Sequence, residues 1–172
     1  MISLFLGLHT ANLLLLSLAF GLGLFAVDLA QQPTAVYGYH QALGIGAGLM
    51  ATLVHMAVFV YFMATTKWLE AATDKADLDA TRFVAPSLSR KSRVFAVAMA
   101  AILATMLTMF AGAGADPAAR PLWPGEVHLV MAALAIMVNL ASAMAEYHYI
   151  RAQSSLMDEA LAILNQPSST AA

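Results

Sequence analysis

From Gly38 to Thr66 the chain runs without a charged residue. At about 1.5 Å per residue, a helix of that length crosses the ~30 Å hydrocarbon layer of a bilayer with residues to spare. Lipid offers a bare backbone amide no partner, so such a stretch has to be helical. Three more runs, Met1–Val27, Val94–Ala113 and Glu126–Tyr149, are nearly as apolar. Over the whole chain 10 % of residues are charged, where a soluble domain carries about a quarter. The pattern predicts an all-α, integral-membrane, four-helix antiparallel bundle. It forms one domain over residues 1–166, with helices at about 2–28, 38–66, 94–114 and 126–149. The first run has no basic residue ahead of it, so it is expected to stay as a helix rather than leave as a signal peptide.

Residues 67–93 are expected to connect the second and third helices on the cytoplasmic side as a mainly solvated segment. Its first half should prolong the second helix beyond the membrane, and Pro86 with its neighbouring serines should break the chain. Past the fourth helix, Ser155 and Asp158 suggest a capping box. A short amphipathic C-terminal helix through Leu156, Ala160, Ile163 and Leu164 would follow, with 167–172 a disordered tail. Lys67, Lys75, Arg82, Arg90, Lys91, Arg93 and Arg151 then share one side of the bundle, leaving Arg120 alone on the other. By the positive-inside rule both termini are cytoplasmic, as in a bacterial inner-membrane protein.

Histidine is the residue type that carries chemistry here. On a helix His40, Gly44, Gly48, Ala51 and His55 fall in one stripe. His40 and His55 are roughly 22 Å apart along the axis and about 60° apart around it. Glycines and an alanine between two imidazoles leave room for a flat ring, although Gly44 and Gly48 also form the GxxxG pair of close helix packing. Counting residues from the helix ends sets His9 level with His55, and His40 level with His128. Each matched couple joins two helices. His148 points away from His128 and is not expected to be a ligand. Ala132, Ala135, Asn139, Ser142 and Glu146 share a broad face with His128 that should turn inward. Asn139 and Glu146 are expected to be interhelical hydrogen-bond partners ahead of a proton or quinone site.

The chain has no cysteine. That rules out disulfides, thiolate zinc sites, iron–sulfur clusters and covalently attached haem. Two neutral imidazoles at one depth suit haem iron, each with its other ring nitrogen held by an acceptor such as Asn12, Thr52 or a backbone carbonyl. The expectation is therefore a b-type cytochrome with one or two haems. His9, His55, His40 and His128 would be the ligands, with Gly44, Gly48 and Ala51 against the ring. It would work with a quinone, within a larger membrane redox complex, or as a homo-oligomer. Three alternatives remain open: a (bacterio)chlorophyll over Ala51 on His55, a cofactor-free accessory subunit, and copper bound by histidine and methionine. The net charge of −2 gives no footing for nucleic acid. No nucleophile elbow, phosphate loop or zincin helix is present.

Overall fold

A computed structural model describes residues 2–29, 35–116 and 119–166, except the side chains of 26–29. The expected tail at 167–172 lies outside the described residues. The described residues form four helices: α1 (Ile2–Leu29), α2 (Ala35–Ala76), α3 (Ala80–Gly114) and α4 (Gly125–Leu164). Each is long and apolar enough to cross a membrane. Side-chain pairs show that successive helices are antiparallel: His9 meets His55 while His40 meets the Ala19 carbonyl, and Thr105 meets Asn139 while Thr108 meets His128. The helices follow one another around the bundle, α1–α2–α3–α4. Across the diagonal α2 packs against α4, whereas among the described residues the backbones of α1 and α3 stay apart.

Large apolar side chains cover the outside of this bundle. Leu14, Leu18, Leu49, Leu53, Leu103, Phe110, Met137 and Met144 are all exposed. In water such a belt would be an aggregation surface; against lipid it is the expected contact of an integral membrane protein. Small residues face inward instead. Ala47, Gly48, Ala51, Ala98, Ala101 and Ala135 are buried, which brings the backbones close enough to hold the helices by packing. The hydroxyls of Thr52, Thr65, Thr105 and Thr108 each bond the carbonyl four residues back, which satisfies them inside an apolar span.

Three helices run past the length a membrane requires. α2 has 42 residues and α4 has 40, so each is roughly 60 Å long, about twice the hydrocarbon thickness. The end of α2, the start of α3 and the end of α4 pack together around Leu69, Phe83, Leu156 and Ala160. This corrects two expectations. Residues 67–93 are helical apart from the turn at Asp77–Asp79, and α3 continues through Pro86. The break falls instead where Asp77 takes a positive φ of 51° and Asp79 caps α3. The Asp79 carboxylate accepts from the Thr81 amide at 2.8 Å and its hydroxyl at 2.6 Å. Nor do the described residues form a separate C-terminal helix. Residues 155–164 are the last turns of α4, because burying Leu156 and Ala160 against Phe83 and Leu69 favours an unbroken rod.

Beneath the spans the extension closes on a second polar layer. Gln153 Nε2 donates to Ser87 Oγ at 2.8 Å and Thr65 Oγ1 at 3.2 Å, and Thr66 Oγ1 lies 2.7 Å from Ser87 Oγ. At the opposite end Trp123 Nε1 donates to the Ala111 carbonyl at 2.8 Å. Its ring lies directly on Gly114, where any side chain would collide with it.

Candidate functional site

A polar side chain inside an apolar bundle needs a partner from another helix. Two histidine couples meet that need at different depths, in different ways.

The first couple lies in mid-bundle. His9 of α1 and His55 of α2 have ring centroids 5.4 Å apart, with planes inclined at 56°. Glu146 of α4 lies between them. His55 Nδ1 is 2.8 Å from Glu146 Oε1, and His9 Nε2 is 3.0 Å from Glu146 Oε2. All three side chains are buried. Donor atoms of the three lie within 4.8 Å of one another.

Asn139 fixes the orientation of this cluster. Its Nδ2 donates to the Ala135 carbonyl at 2.8 Å and to Thr105 Oγ1 at 3.0 Å. A carbonyl only accepts, so the amide cannot be reversed, and Oδ1 must face Asn12 and His55. Asn12 Nδ2 donates to it at 3.1 Å, and His55 Nε2 lies 3.1 Å away. His55 Nε2 therefore carries a proton. Its Nδ1 faces Glu146, and one proton at most separates the imidazole from the carboxyl. His9 is held differently. Neither of its ring nitrogens has an aligned hydrogen bond, and neither does Glu146 Oε2. Two buried polar atoms from different helices thus approach closely with no hydrogen bond between them.

The second couple spans the diagonal. His40 of α2 and His128 of α4 have ring centroids 5.9 Å apart and planes at 72°. The two rings are held in matching ways. His40 Nδ1 bonds the Ala19 carbonyl of α1 at 2.9 Å, and His128 Nδ1 bonds the Thr108 carbonyl of α3 at 3.1 Å. Since carbonyls only accept, Nδ1 is the protonated nitrogen in both rings, and Nε2 of the neutral imidazole keeps its lone pair. Four residues beyond each carbonyl lies a glycine under the ring. A Cβ on Gly23 would come 2.9 Å from His40 Cε1, and one on Gly112 would come 2.9 Å from His128 Cε1.

The structure thus brings together all four histidines, in the two couples expected from depth. The glycine stripe divides. Gly48 is filled by the Met109 thioether of α3, Ala51 is fully buried, and Gly44 faces open space. Thr52 turns back on its own helix, so the acceptors holding His40 and His128 are backbone carbonyls. His148 is exposed. Gly23 escaped the reading of the sequence, and Gly112 stands out there only as a helix-ending member of a small-residue packing stripe with Ala101, Thr105 and Thr108. A signal was nonetheless present, because each hairpin places a glycine before the turn and a histidine after it at nearly equal spacing.

Beside His9 a cleft of about 230 Å³ opens between α1 and α4, lined by Ile2, Phe5, Leu13, Met144 and Tyr147. No protein-family model, curated protein or solved structure shows significant similarity to the chain.

Proposed function

We propose that the protein is a membrane electron carrier that binds a b-type haem between His40 and His128. The observation that carries this reading is the matched bracing of the two rings. Each is locked through Nδ1 on a carbonyl and seated on a glycine, with Nε2 left as the only donor to a metal. Metal–imidazole bonds are about 2.0–2.1 Å long, so two rings holding one iron from opposite sides would have centroids roughly 6.4 Å apart, about half an ångström more than this couple shows. The couple stands at 5.9 Å. Held by both His40 and His128, the iron would have no open site, which would suit electron transfer rather than oxygen binding. The haem supplies the redox change, while the protein sets ligand orientation and a low-polarity surrounding.

At the other couple the gap a second haem would need is taken by Glu146, so one haem per chain fits best. A chlorophyll on His55 has less support, since Glu146 and Asn139 hold both ring nitrogens. The asymmetry of lysine and arginine supports both termini on the cytoplasmic side of a bacterial inner membrane. Electrons would be exchanged with a quinone or with a neighbouring redox subunit in the bilayer.

The test is a reduced-minus-oxidised spectrum of protein purified in detergent from haem-replete cells, with a pyridine haemochrome count. One haem per chain is expected, with Soret and α bands that sharpen on dithionite. His40→Ala and His128→Ala should each abolish them. A colourless wild-type preparation that takes up no added haem would refute the reading, as would a far-red magnesium-chlorin band.

A further inference from the structure

We infer that His9, His55 and Glu146 form a second, haem-independent site for a divalent first-row transition-metal ion. The donors are His9 Nε2, His55 Nδ1 and the Glu146 carboxylate. They come from three helices, lie within 4.8 Å of one another and are shielded from solvent. Two borderline imidazoles and one hard carboxylate suit iron, zinc or cobalt in the +2 state. Magnesium and calcium would ask for more oxygen.

The second observation is the set of unpaired atoms. His9 Nε2 and Glu146 Oε2 stand 3.0 Å apart with no aligned hydrogen bond, and His9 Nδ1 has no hydrogen-bond partner among the described residues either. His55 Nδ1 already meets Glu146 Oε1 in an aligned contact at 2.8 Å, so it is the unaligned approach of His9 to Oε2 that a simple buried ion pair does not account for. A metal ion asks instead for lone pairs that converge on a point beside the line joining the atoms. The ring separation agrees. Two imidazoles about 2.0–2.1 Å from one ion at a near-tetrahedral angle have centroids roughly 5 Å apart. The His9–His55 separation is 5.4 Å, against 5.9 Å for the other couple.

Asn139 completes the arrangement as a positioning residue. It accepts from His55 Nε2, which turns the lone pair of Nδ1 toward Glu146. A metal-bound histidine whose other nitrogen is held in this way is oriented before the ion arrives. Three protein donors leave at least one coordination position, and the cleft between α1 and α4 reaches the same histidine. The cleft leaves room beside His9 for a small additional ligand.

The experiment uses full-length protein in detergent, stripped with a chelator and titrated with Co²⁺ as the only added metal. We expect one Co²⁺ per chain, with the d–d absorption of a low-coordinate site. Glu146→Gln and His9→Asn should each weaken binding at least about 100-fold, and Asn139→Ala by about 10–100-fold. His40→Ala should bind Co²⁺ like the wild type, whatever the fate of its haem, so this outcome is separable from the haem reading. Helix content and monodispersity of the stripped variants distinguish a lost ligand from a lost fold. If Glu146→Gln misfolds, His9→Asn alone decides. No Co²⁺ uptake by the wild type, or uptake unchanged in a folded Glu146→Gln or His9→Asn protein, would overturn the site.

Discussion

Substituting Gly112 with alanine should weaken haem binding without touching a ligand. The new Cβ would stand 2.9 Å from His128 Cε1 and 3.2 Å from Nδ1. Carbon atoms in contact settle at about 3.5–4.0 Å, so the ring has to retreat by roughly 0.6 Å or more. The bond from His128 Nδ1 to the Thr108 carbonyl starts at 3.1 Å, and a retreat of that size carries it past ~3.5 Å, where it no longer counts. Losing the bond costs about 1 kcal/mol, and residual crowding adds about 1–3 kcal/mol. Part of that falls on both the haem-bound and haem-free forms and cancels. The part that misaims Nε2 does not, and loss of such an orienting bond weakens metal affinity about 10–100-fold. Gly23→Ala should act the same way through His40, whose Cε1 the new Cβ would meet at the same 2.9 Å. The control is Gly21→Ala. It lies in the same helix, and a Cβ there meets nothing within 4 Å. Alanine in a helix interior is favoured over glycine by roughly 0.5–1 kcal/mol, so helix propensity cannot account for weakened binding. The assay is titration of haem into the apoprotein in micelles, followed at the Soret band. If Gly112→Ala binds haem as tightly as Gly21→Ala, the glycines do not position the rings, and the argument from matched bracing fails.

Three further outcomes follow from the packing. Asn139→Leu strands the Asn12 amide and His55 Nε2 in an apolar core, while the Thr105 hydroxyl keeps its bond to the Ala101 carbonyl. At about 1–3 kcal/mol per buried group, it should destabilise the bundle at least twice as much as Asn12→Ala in detergent unfolding, and equal losses would mean the network is not shared. Gly114→Ala drives a methyl into the Trp123 ring. Overpacking of about 1–3 kcal/mol should lower the melting temperature, and the loss should be recovered in the double variant with Trp123→Ala if the collision is the cause. The Thr81 hydroxyl, then its amide, hold the Asp79 carboxyl below the usual carboxylate range. Its contribution is therefore complete above the unfolded value of about 3.9 and is lost as pH falls through the lower folded value. Asp79→Ala should melt earlier than wild type at neutral pH and converge with it in acid, while Asp79→Asn, which also caps, should track the wild type at neutral pH.

How much of this was legible in the sequence depends on which coordinate a feature occupies. Depth along a helix is counted at a fixed rise per residue, so the pairing of His9 with His55 and of His40 with His128 followed from arithmetic. The inward face of α4 followed from its period, and Ala135, Asn139, Ser142 and Glu146 are all buried as that period requires. What lies between two helices at one depth cannot be counted in this way. Glu146 was placed on the right face, but its position between two imidazoles depends on how α1, α2 and α4 are spaced laterally. Gly48 shows the same limit, because the occupant of its notch, Met109, comes from a helix whose offset no period encodes. Helix ends failed for a different reason. Proline and a run of charge mark where a lone helix would stop, yet Leu69, Phe83, Leu156 and Ala160 form a small core that carries three helices beyond the apolar spans. In a bundle whose spans are set by lipid, function is therefore read from residues that lipid cannot explain. Here those are two rings seated on glycine and a carboxylate facing two more.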